Sequence, residues 1–230
     1  MKRFFLAVYS LAICAFLLTV ATAVFSFELP KWFPFSAERS LDEWETKIFR
    51  GKVIYKIEKD VVGSSLHALS LGSASAIYYK IHQRFKAQDY PMLSWKWKVV
   101  KFPDPEKLKS LQGIEKDDYA ARVYVIFPSA FLLASKVLEY VWDETEPLGC
   151  IFDSPYSPNI KLIVAQSGKK DAGKWVLEER NILADYRRAF GKDPTLKVGA
   201  IALMSDADNT GDVAEAYFDE IRIGYDGKAR

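Results

Sequence analysis

A short run of carboxylates between two predicted strands is the part of this sequence best suited to chemistry. The segment MSDADNTGD places three aspartates and an asparagine in one turn: Asp206, Asp208, Asn209 and Asp212. Calcium takes about six to eight oxygen ligands, so Asp206, Asp208 and Asp212 form a candidate calcium site. The turn begins like an EF-hand loop, but Tyr217 stands where the bidentate glutamate belongs. Two alternatives are an Asx-rich hairpin loop that accepts hydrogen bonds from backbone amides, and a loop that contacts a ligand directly.

Two further charged groups flank predicted strands and extend the candidate site. One opens the strand that carries Arg122, and the other ends the strand that starts at Lys174. Strand alternation puts Glu179 on a mostly apolar face, where a carboxylate is costly unless it is paired, so Arg122 or Arg180 is its expected partner. Such a pair is either structural or a general acid or base with a shifted pKa. The two groups add six candidate ligand-binding residues: Asp117, Asp118, Arg122, Glu179, Arg180 and Asn181.

Aromatic residues supply the other part of a candidate binding surface. Trp95 and Trp97 alternate with lysines along one predicted strand, which favours burial of both indoles between two sheets. Trp142 precedes the acidic turn Asp143–Pro147 and is predicted to reach a surface cleft. An indole ring there would stack on a sugar ring through its flat apolar face.

Several kinds of catalytic site are disfavoured by the sequence. The two histidines, His67 and His82, have no histidine or cysteine at metal-ligand spacing, so a zinc site is not expected. No nucleophile elbow, P-loop or dinucleotide-binding glycine motif is present. Cys150 has no evident histidine partner, so a cysteine nucleophile is not expected either. We expect no cofactor, with calcium as the one alternative.

The elements that must position these residues are mostly strands. Eight or more short runs rich in β-branched and aromatic residues are separated by glycine, proline, asparagine or aspartate. This pattern predicts an all-β fold with minor α content: an antiparallel two-sheet β-sandwich, jelly-roll or concanavalin-like, with one or two short helices. Residues 184–190 are predicted to be helical, residues 129–140 are either a helix or a buried strand, and residues 104–116 are a polar loop.

The N-terminus predicts export. Lys2 and Arg3 precede an uncharged apolar run, so residues 1–26 are a signal peptide or a membrane anchor. Residues 27–45 form a lead-in and residues 46–230 one β-sandwich domain in the periplasm or beyond, with membrane contact only through residues 4–25 if these are retained. Without Lys2 and Arg3, 30 basic residues balance 30 acidic ones, so nucleic acid is not an expected partner. That chain has one cysteine, Cys150, and no internal disulfide.

Three long motifs carry a resemblance to a known family: DDYAARVYVIF (117–127), WVLEERNILADYRRAFG (175–191) and IALMSDADNTGDVAEAYFDEI (201–221). Over roughly residues 40–225 the chain resembles a bacterial family of secreted proteins, domain of unknown function 3047. The resemblance implies no activity, because the family has none established. The closing YFDEI is also similar to the last strand of jelly-roll domains that bind carbohydrate, an analogy of fold.

Three hypotheses of function follow. The first is a non-catalytic β-sandwich of the cell envelope that binds a glycan or another polar ligand. The second is a glycan hydrolase or lyase with two carboxylates, Asp118 or Glu179 as the acid and Asp206 or Asp208 as the base or nucleophile. The third is a structural or assembly factor of the envelope, which would present a flat surface without a pocket.

Overall fold

The computed structural model describes residues 29–61, 63–113, 116–131 and 134–227 as two sheets packed face to face. The predicted signal peptide or anchor, residues 1–26, lies outside the described residues. Within the described part of the chain, no helix is long and apolar enough to cross a membrane. The predicted two-sheet β-sandwich is confirmed.

Thirteen strands, two α-helices and one 3-10 helix make up the described chain. Their bounds in chain order are β1 Lys31–Phe33, the 3-10 helix Glu38–Leu41, β2 Glu45–Arg50, β3 Ile54–Lys59, β4 Ser64–Leu71, β5 Ala74–Phe85, β6 Met92–Lys101, α1 Pro105–Ser110, β7 Arg122–Phe127, β8 Lys136–Asp143, β9 Ile151–Ser154, β10 Ser157–Ser167, β11 Val176–Asn181, α2 Ile182–Phe190, β12 Val198–Asp206 and β13 Val213–Tyr225.

Sheet A has the strand order β11-β6-β13-β4-β3, with all pairs antiparallel. The long strand β13 lies at its centre. One edge of β13 pairs with β6, and the other pairs first with β4 and then with β1, where Lys31 lies opposite Ile223.

Sheet B has the strand order β2-β5-β12-β7-β8-β10-β9. One pair departs from the predicted antiparallel pattern: β10 runs parallel to β8, with Ile160 opposite Val137. The chain reverses through β9, which pairs antiparallel with β10 on the outer side, so β10 returns between β8 and β9 in the direction of β8. Parallel neighbours need a crossover of this kind.

The core between the sheets follows the alternation read from the sequence. Trp95 and Trp97 are fully buried, as predicted, and their rings contact those of Tyr140 and Trp142 from sheet B at centroid distances of 5.2 and 5.7 Å. Each buried aromatic side chain contributes about 1.5–3 kcal/mol of transfer free energy. These rings therefore join the two sheets by direct contact across the core.

Strands β2 and β3 lie in different sheets and are separated at Gly51, whose φ of +68° suits glycine. The structure also refines the expectations for three segments. Of the ambiguous stretch 129–140, residues 136–140 belong to strand β8. The predicted loop 104–116 contains α1, capped by Asp104, and the predicted helix at 184–190 is α2, which ends at Gly191 in the left-handed conformation.

Candidate functional site

A groove of about 690 Å³ lies on the outer face of sheet B. It crosses the sheet from the edge strand β2 to the β9–β10 turn, and most of its lining side chains are apolar. On the central strands β5, β7 and β12, the alternation of side chains explains why these residues are available: their neighbours along the chain, such as Ile77, Val123 and Ile201, are buried in the core. We call this surface the groove.

The floor of the groove combines small residues with tyrosines. Ala202 on β12 lies opposite Tyr78 on β5 and opposite Tyr124 on β7, so two tyrosines flank one alanine in a single row across the sheet. Since neighbouring strands lie about 4.8 Å apart, the Cα atoms of the two tyrosines are separated by about 10 Å. Ala74 and Ala76 continue the small floor on β5. This arrangement leaves a slot with aromatic walls.

Two aromatic side chains at the rims of the groove are strongly exposed. Phe49 on β2 and Tyr156 in the β9–β10 turn each have 60% relative exposure and come from opposite sides of sheet B. Large apolar rings left in solvent beside a concave surface are typical of binding sites.

One end of the groove is formed by a buried charged group that we call the Arg122 cluster: Arg122, Asp117, Glu139 and Asp206. The guanidinium donates from Nε and Nη2 to the two oxygens of Asp206 at 2.8 and 2.5 Å. Nη1 donates to Asp117 Oδ2 at 3.2 Å and to Glu139 Oε1 at 2.7 Å, and Nη2 also donates to the carbonyl oxygen of Asp117. The five N–H groups of Arg122 are therefore all used within the protein.

Burial dominates the electrostatics of this cluster. It raises the pKa of Asp206 well above the ordinary range and also raises the pKa of Glu139 and Asp117, while the positive charge of Arg122 opposes each shift. For Arg122, burial acts to lower the pKa, but the surrounding carboxylates outweigh it and the pKa is raised. The arginine therefore stays charged, and the carboxyl groups retain protons to higher pH than exposed ones do.

The acidic turn between β12 and β13 is held in place by Asp118, which belongs to the predicted charged group before β7. Asp118 accepts hydrogen bonds from the backbone amides of Asn209 and Thr210 at 3.1 and 2.7 Å, and from Thr210 Oγ1 at 2.7 Å. This contact matches the Asx-type hydrogen bonding that was one alternative for the turn, with the carboxylate supplied from outside it.

The only carboxylate grouping of metal-site dimensions among the described residues is Asp118, Asp206 and Asp208, with one oxygen of each within 4.8 Å of the others. Asp212, predicted as the third calcium ligand, is not part of this group. Both oxygens of Asp206 accept hydrogen bonds from Arg122, and both oxygens of Asp118 accept from the turn. A calcium ion would have to displace these donors, so the donor set does not fit calcium well.

Three predicted site residues, Glu179, Arg180 and Asn181, lie outside the groove on the edge strand β11 of sheet A. The expected pairing of Glu179 with Arg122 is wrong, because β11 exposes Glu179 and turns Glu178 inward, where burial raises the pKa of Glu178 to about 7. Arg180 instead pairs with Asp185 at 2.7 Å, and Asn181 caps α2 by accepting from an amide of its first turn. These residues brace the start of α2.

Trp142 borders a second cavity of about 320 Å³ between α1 and the loop that follows β8. Its side chain is only 1% exposed, since the ring packs on Trp97 and Phe102 and Nε1 donates to the carbonyl oxygen of Gly168 at 2.9 Å. Trp142 is thus a core residue, and the expectation that it presents an exposed stacking surface is corrected.

The structure therefore brings five of the predicted residues to one end of the groove and its adjoining turn: Asp117, Asp118, Arg122, Asp206 and Asp208. Asn209 lies in the turn, bound to Asp118. Sequence reasoning missed Glu139, Phe49, Tyr78, Tyr124 and Tyr156. The signal for Tyr124 was available, because strand alternation places it on the same face as Arg122.

Three solved structures are similar to this chain. The family 11 carbohydrate-binding module of a Clostridium thermocellum cellulase has 11% identity and a TM-score of 0.43, over 82% of this chain and 91% of that one. A family 30 module from the same organism has 9% identity and a TM-score of 0.45, over 81% and 93% of the two chains. A cellulase derived from Cel12A of Rhodothermus marinus has 10% identity and a TM-score of 0.45, over 78% and 94%.

No curated protein is significantly similar to this chain in sequence. The model of the family described as protein of unknown function DUF3047 matches residues 42–222, which include every residue that lines the groove. The chain belongs to that family.

Proposed function

We propose that this protein binds a glycan, without catalysis, in the groove on the outer face of sheet B. The observation that carries the proposal is the pair of exposed aromatic rings, Phe49 and Tyr156, on either side of a slot between Tyr78 and Tyr124. A sugar ring presents flat C–H faces and an equatorial rim of hydroxyls. Aromatic walls fit the faces, and polar groups at the end of the groove fit the hydroxyls.

The arrangement of the carboxylates disfavours the hydrolase or lyase alternative. A two-carboxylate mechanism needs one carboxyl group free to give a proton and another free to act on the sugar or on water. Asp206 is buried against Arg122, and Asp118 is held by three donors from the turn. Glu179, the other candidate acid, lies on sheet A, outside the groove.

The structural-factor alternative predicts a flat surface, and the groove argues against it. If the N-terminal segment directs export, the groove faces the compartment in which envelope polysaccharides occur. The sequence predicts this location, and we retain it as part of the proposal.

The test is a screen of the purified protein against oligosaccharides, followed by calorimetry on any that bind. Phe49→Ala should weaken binding about five- to thirtyfold, corresponding to about 1–2 kcal/mol for an aromatic contact residue. Phe131, 80% exposed and outside the groove, provides the matched control Phe131→Ala, which should leave affinity unchanged. Equal loss in both variants, or no binding of any oligosaccharide, would contradict the proposal.

A further inference from the structure

One end of the sandwich, outside the groove, is formed by the segments that follow β5 and β7 and by the segment that leads into β12. These segments are in contact: Arg84 Nη1 donates to the carbonyl oxygen of Pro128 at 3.5 Å, and Gln88 Nε2 donates to that of Pro194 at 3.0 Å. The turn before β4 lies at the same end, because β4 runs antiparallel to β13 and β13 finishes beside the start of β6. We call this surface the loop end, and its described residues are 60–61, 86–91, 128–131 and 191–197.

The two most exposed large apolar side chains among the described residues both lie at the loop end. Val61 is fully exposed and Phe131 is 80% exposed, and Tyr90 adds a third such side chain at 39%. Local hydrogen bonds fix the backbone beneath Phe131: Ser129 Oγ accepts from its amide at 3.3 Å, and Ser135 Oγ accepts from the Ser129 amide at 3.0 Å. Apolar side chains that protrude together into solvent are typical of surfaces that contact a protein or a membrane.

Basic residues outnumber acidic ones at the loop end. Burial, followed by the charges of Lys192 and Lys161, lowers the pKa of Lys136, so positive charges at this end repel one another. One of the acidic residues, Asp193, is paired with Arg187 at 2.5 Å, and the turn before β4 is balanced in charge. In and beside the other segments, the basic residues are Arg84, Lys86, Lys136, Lys192 and Lys197, against the acidic Asp89 and Asp193.

The first described residues indicate which partner faces this end. Lys31 lies opposite Ile223, close to the end of β13, and Leu29 packs against Gly224. Residues 1–26, predicted to be a signal peptide or a membrane anchor, therefore join the domain at the loop end. A second copy of the chain would bring one basic surface against another. An anionic bilayer instead attracts basic residues and accepts apolar side chains at its interface.

We propose that the loop end docks on a bilayer surface that contains anionic lipids, with Val61, Tyr90 and Phe131 entering the headgroup region and the basic residues contacting lipid phosphates. This contact adds to the one expected through residues 4–25, and it does not depend on glycan binding. The groove lies on the outer face of sheet B, so docking through one end of the sandwich leaves the groove uncovered.

A fluorophore attached at a single position reports whether that position enters the bilayer, whatever holds the rest of the chain there. Cys14→Ser and Cys150→Ser remove the native thiols from the full chain, and Phe131→Cys or Leu148→Cys then takes a polarity-sensitive NBD label. Leu148 is the matched control, because it is 64% exposed and lies in the loop at the other end of β8. With vesicles of phosphatidylcholine and phosphatidylglycerol, we expect emission at position 131 to shift to the blue and to rise about twofold or more. Phosphatidylcholine alone should change it little, and the label at position 148 should not respond.

Charge reversal tests the basic residues separately. Lys192→Glu combined with Lys197→Glu should remove about half or more of the emission change at position 131, as should added salt. Lys107→Glu combined with Lys170→Glu makes the same change of net charge at the other end of the sandwich and should leave the response intact. A thermal melt of each variant checks that the fold is retained.

Three results would overturn the inference and leave the proposed glycan binding unaffected. The first is an equal emission change at positions 131 and 148. The second is an equal response at position 131 to vesicles with and without the anionic lipid. The third is a change at position 131 that grows with protein concentration in the absence of vesicles, which would assign the loop end to a second copy of the chain.

Discussion

Replacing Arg122 with methionine tests the central electrostatic feature of the groove. The side chain is 3% exposed and contacts three carboxyl groups, those of Asp117, Glu139 and Asp206. Methionine resembles the aliphatic part of arginine and has no charge, so the change removes the guanidinium and keeps an unbranched apolar side chain. Removing one partner from a buried charged group costs about 3–5 kcal/mol. We expect the free energy of unfolding of Arg122→Met to fall by about that amount at pH 8.

The cost should depend on pH in a definite direction. Burial already raises the pKa of the three carboxyl groups, and Arg122 counteracts the rise. Without the arginine, the pKa values of these carboxyl groups in the folded state rise further, whereas in the unfolded state they stay at about 4. Between those values the folded protein holds protons that the unfolded chain has lost, so stability falls as pH rises through this interval. The destabilisation should therefore be smaller at pH 5 than at pH 8.

Urea denaturation followed by tryptophan fluorescence at both pH values measures the effect. Arg50→Met is the matched control, because Arg50 is exposed and lies at 4.0 Å from Asp208, and its loss should cost about 0.5 kcal/mol or less. A cost for Arg122→Met below about 1 kcal/mol, or one equal at pH 5 and pH 8, would refute the view that the guanidinium holds ionised carboxylates in the folded state.

Three further outcomes are expected. Asp118→Ala removes three hydrogen bonds to the 206–212 turn, so urea denaturation should show a loss of about 2–4 kcal/mol, and the amides of that turn should exchange faster. Calcium should not raise the melting temperature above that in EDTA, because the carboxylate oxygens of Asp118 and Asp206 already accept internal hydrogen bonds; a rise of several degrees would restore the calcium hypothesis. Gly199→Ala places a Cβ 2.5 Å from the Pro128 ring and should cost about 1–3 kcal/mol in a denaturant melt, whereas Gly63→Ala, with no atom within 4 Å, serves as the neutral control.

The sequence predicted those features of the fold that repeat within single strands. Burial of Trp95 and Trp97 follows from an alternation of period two that is visible locally. The same alternation places Tyr124 on the face of Arg122, although Tyr124 was not predicted as a site residue. The same logic failed on β11. Trp175 and Leu177 suggested a buried face that would include Glu179, but β11 is an edge strand with a single neighbour, and Leu177 is 64% exposed.

The groove could not be predicted, because it depends on which strands become neighbours. Phe49 and Tyr156 reach it from opposite sides of sheet B, and the slot needs Ala202 to lie between Tyr78 and Tyr124. Pairing between strands distant in sequence leaves no mark in the periodicity of either strand. Glu139 was missed for a related reason: residues 129–140 were compatible with a helix or a strand, and only pairing with β7 places Glu139 beside Arg122.

The position of β13 determines when sheet A can be completed during protein synthesis. This strand is the last in the described chain, yet it lies at the centre of sheet A and pairs with β6, β4 and β1. Until residues 213–225 emerge, β4 and β6 have no strand between them and β1 has no partner in the described chain. The sandwich therefore closes only after synthesis of that segment, and the many long-range pairings make closure slow.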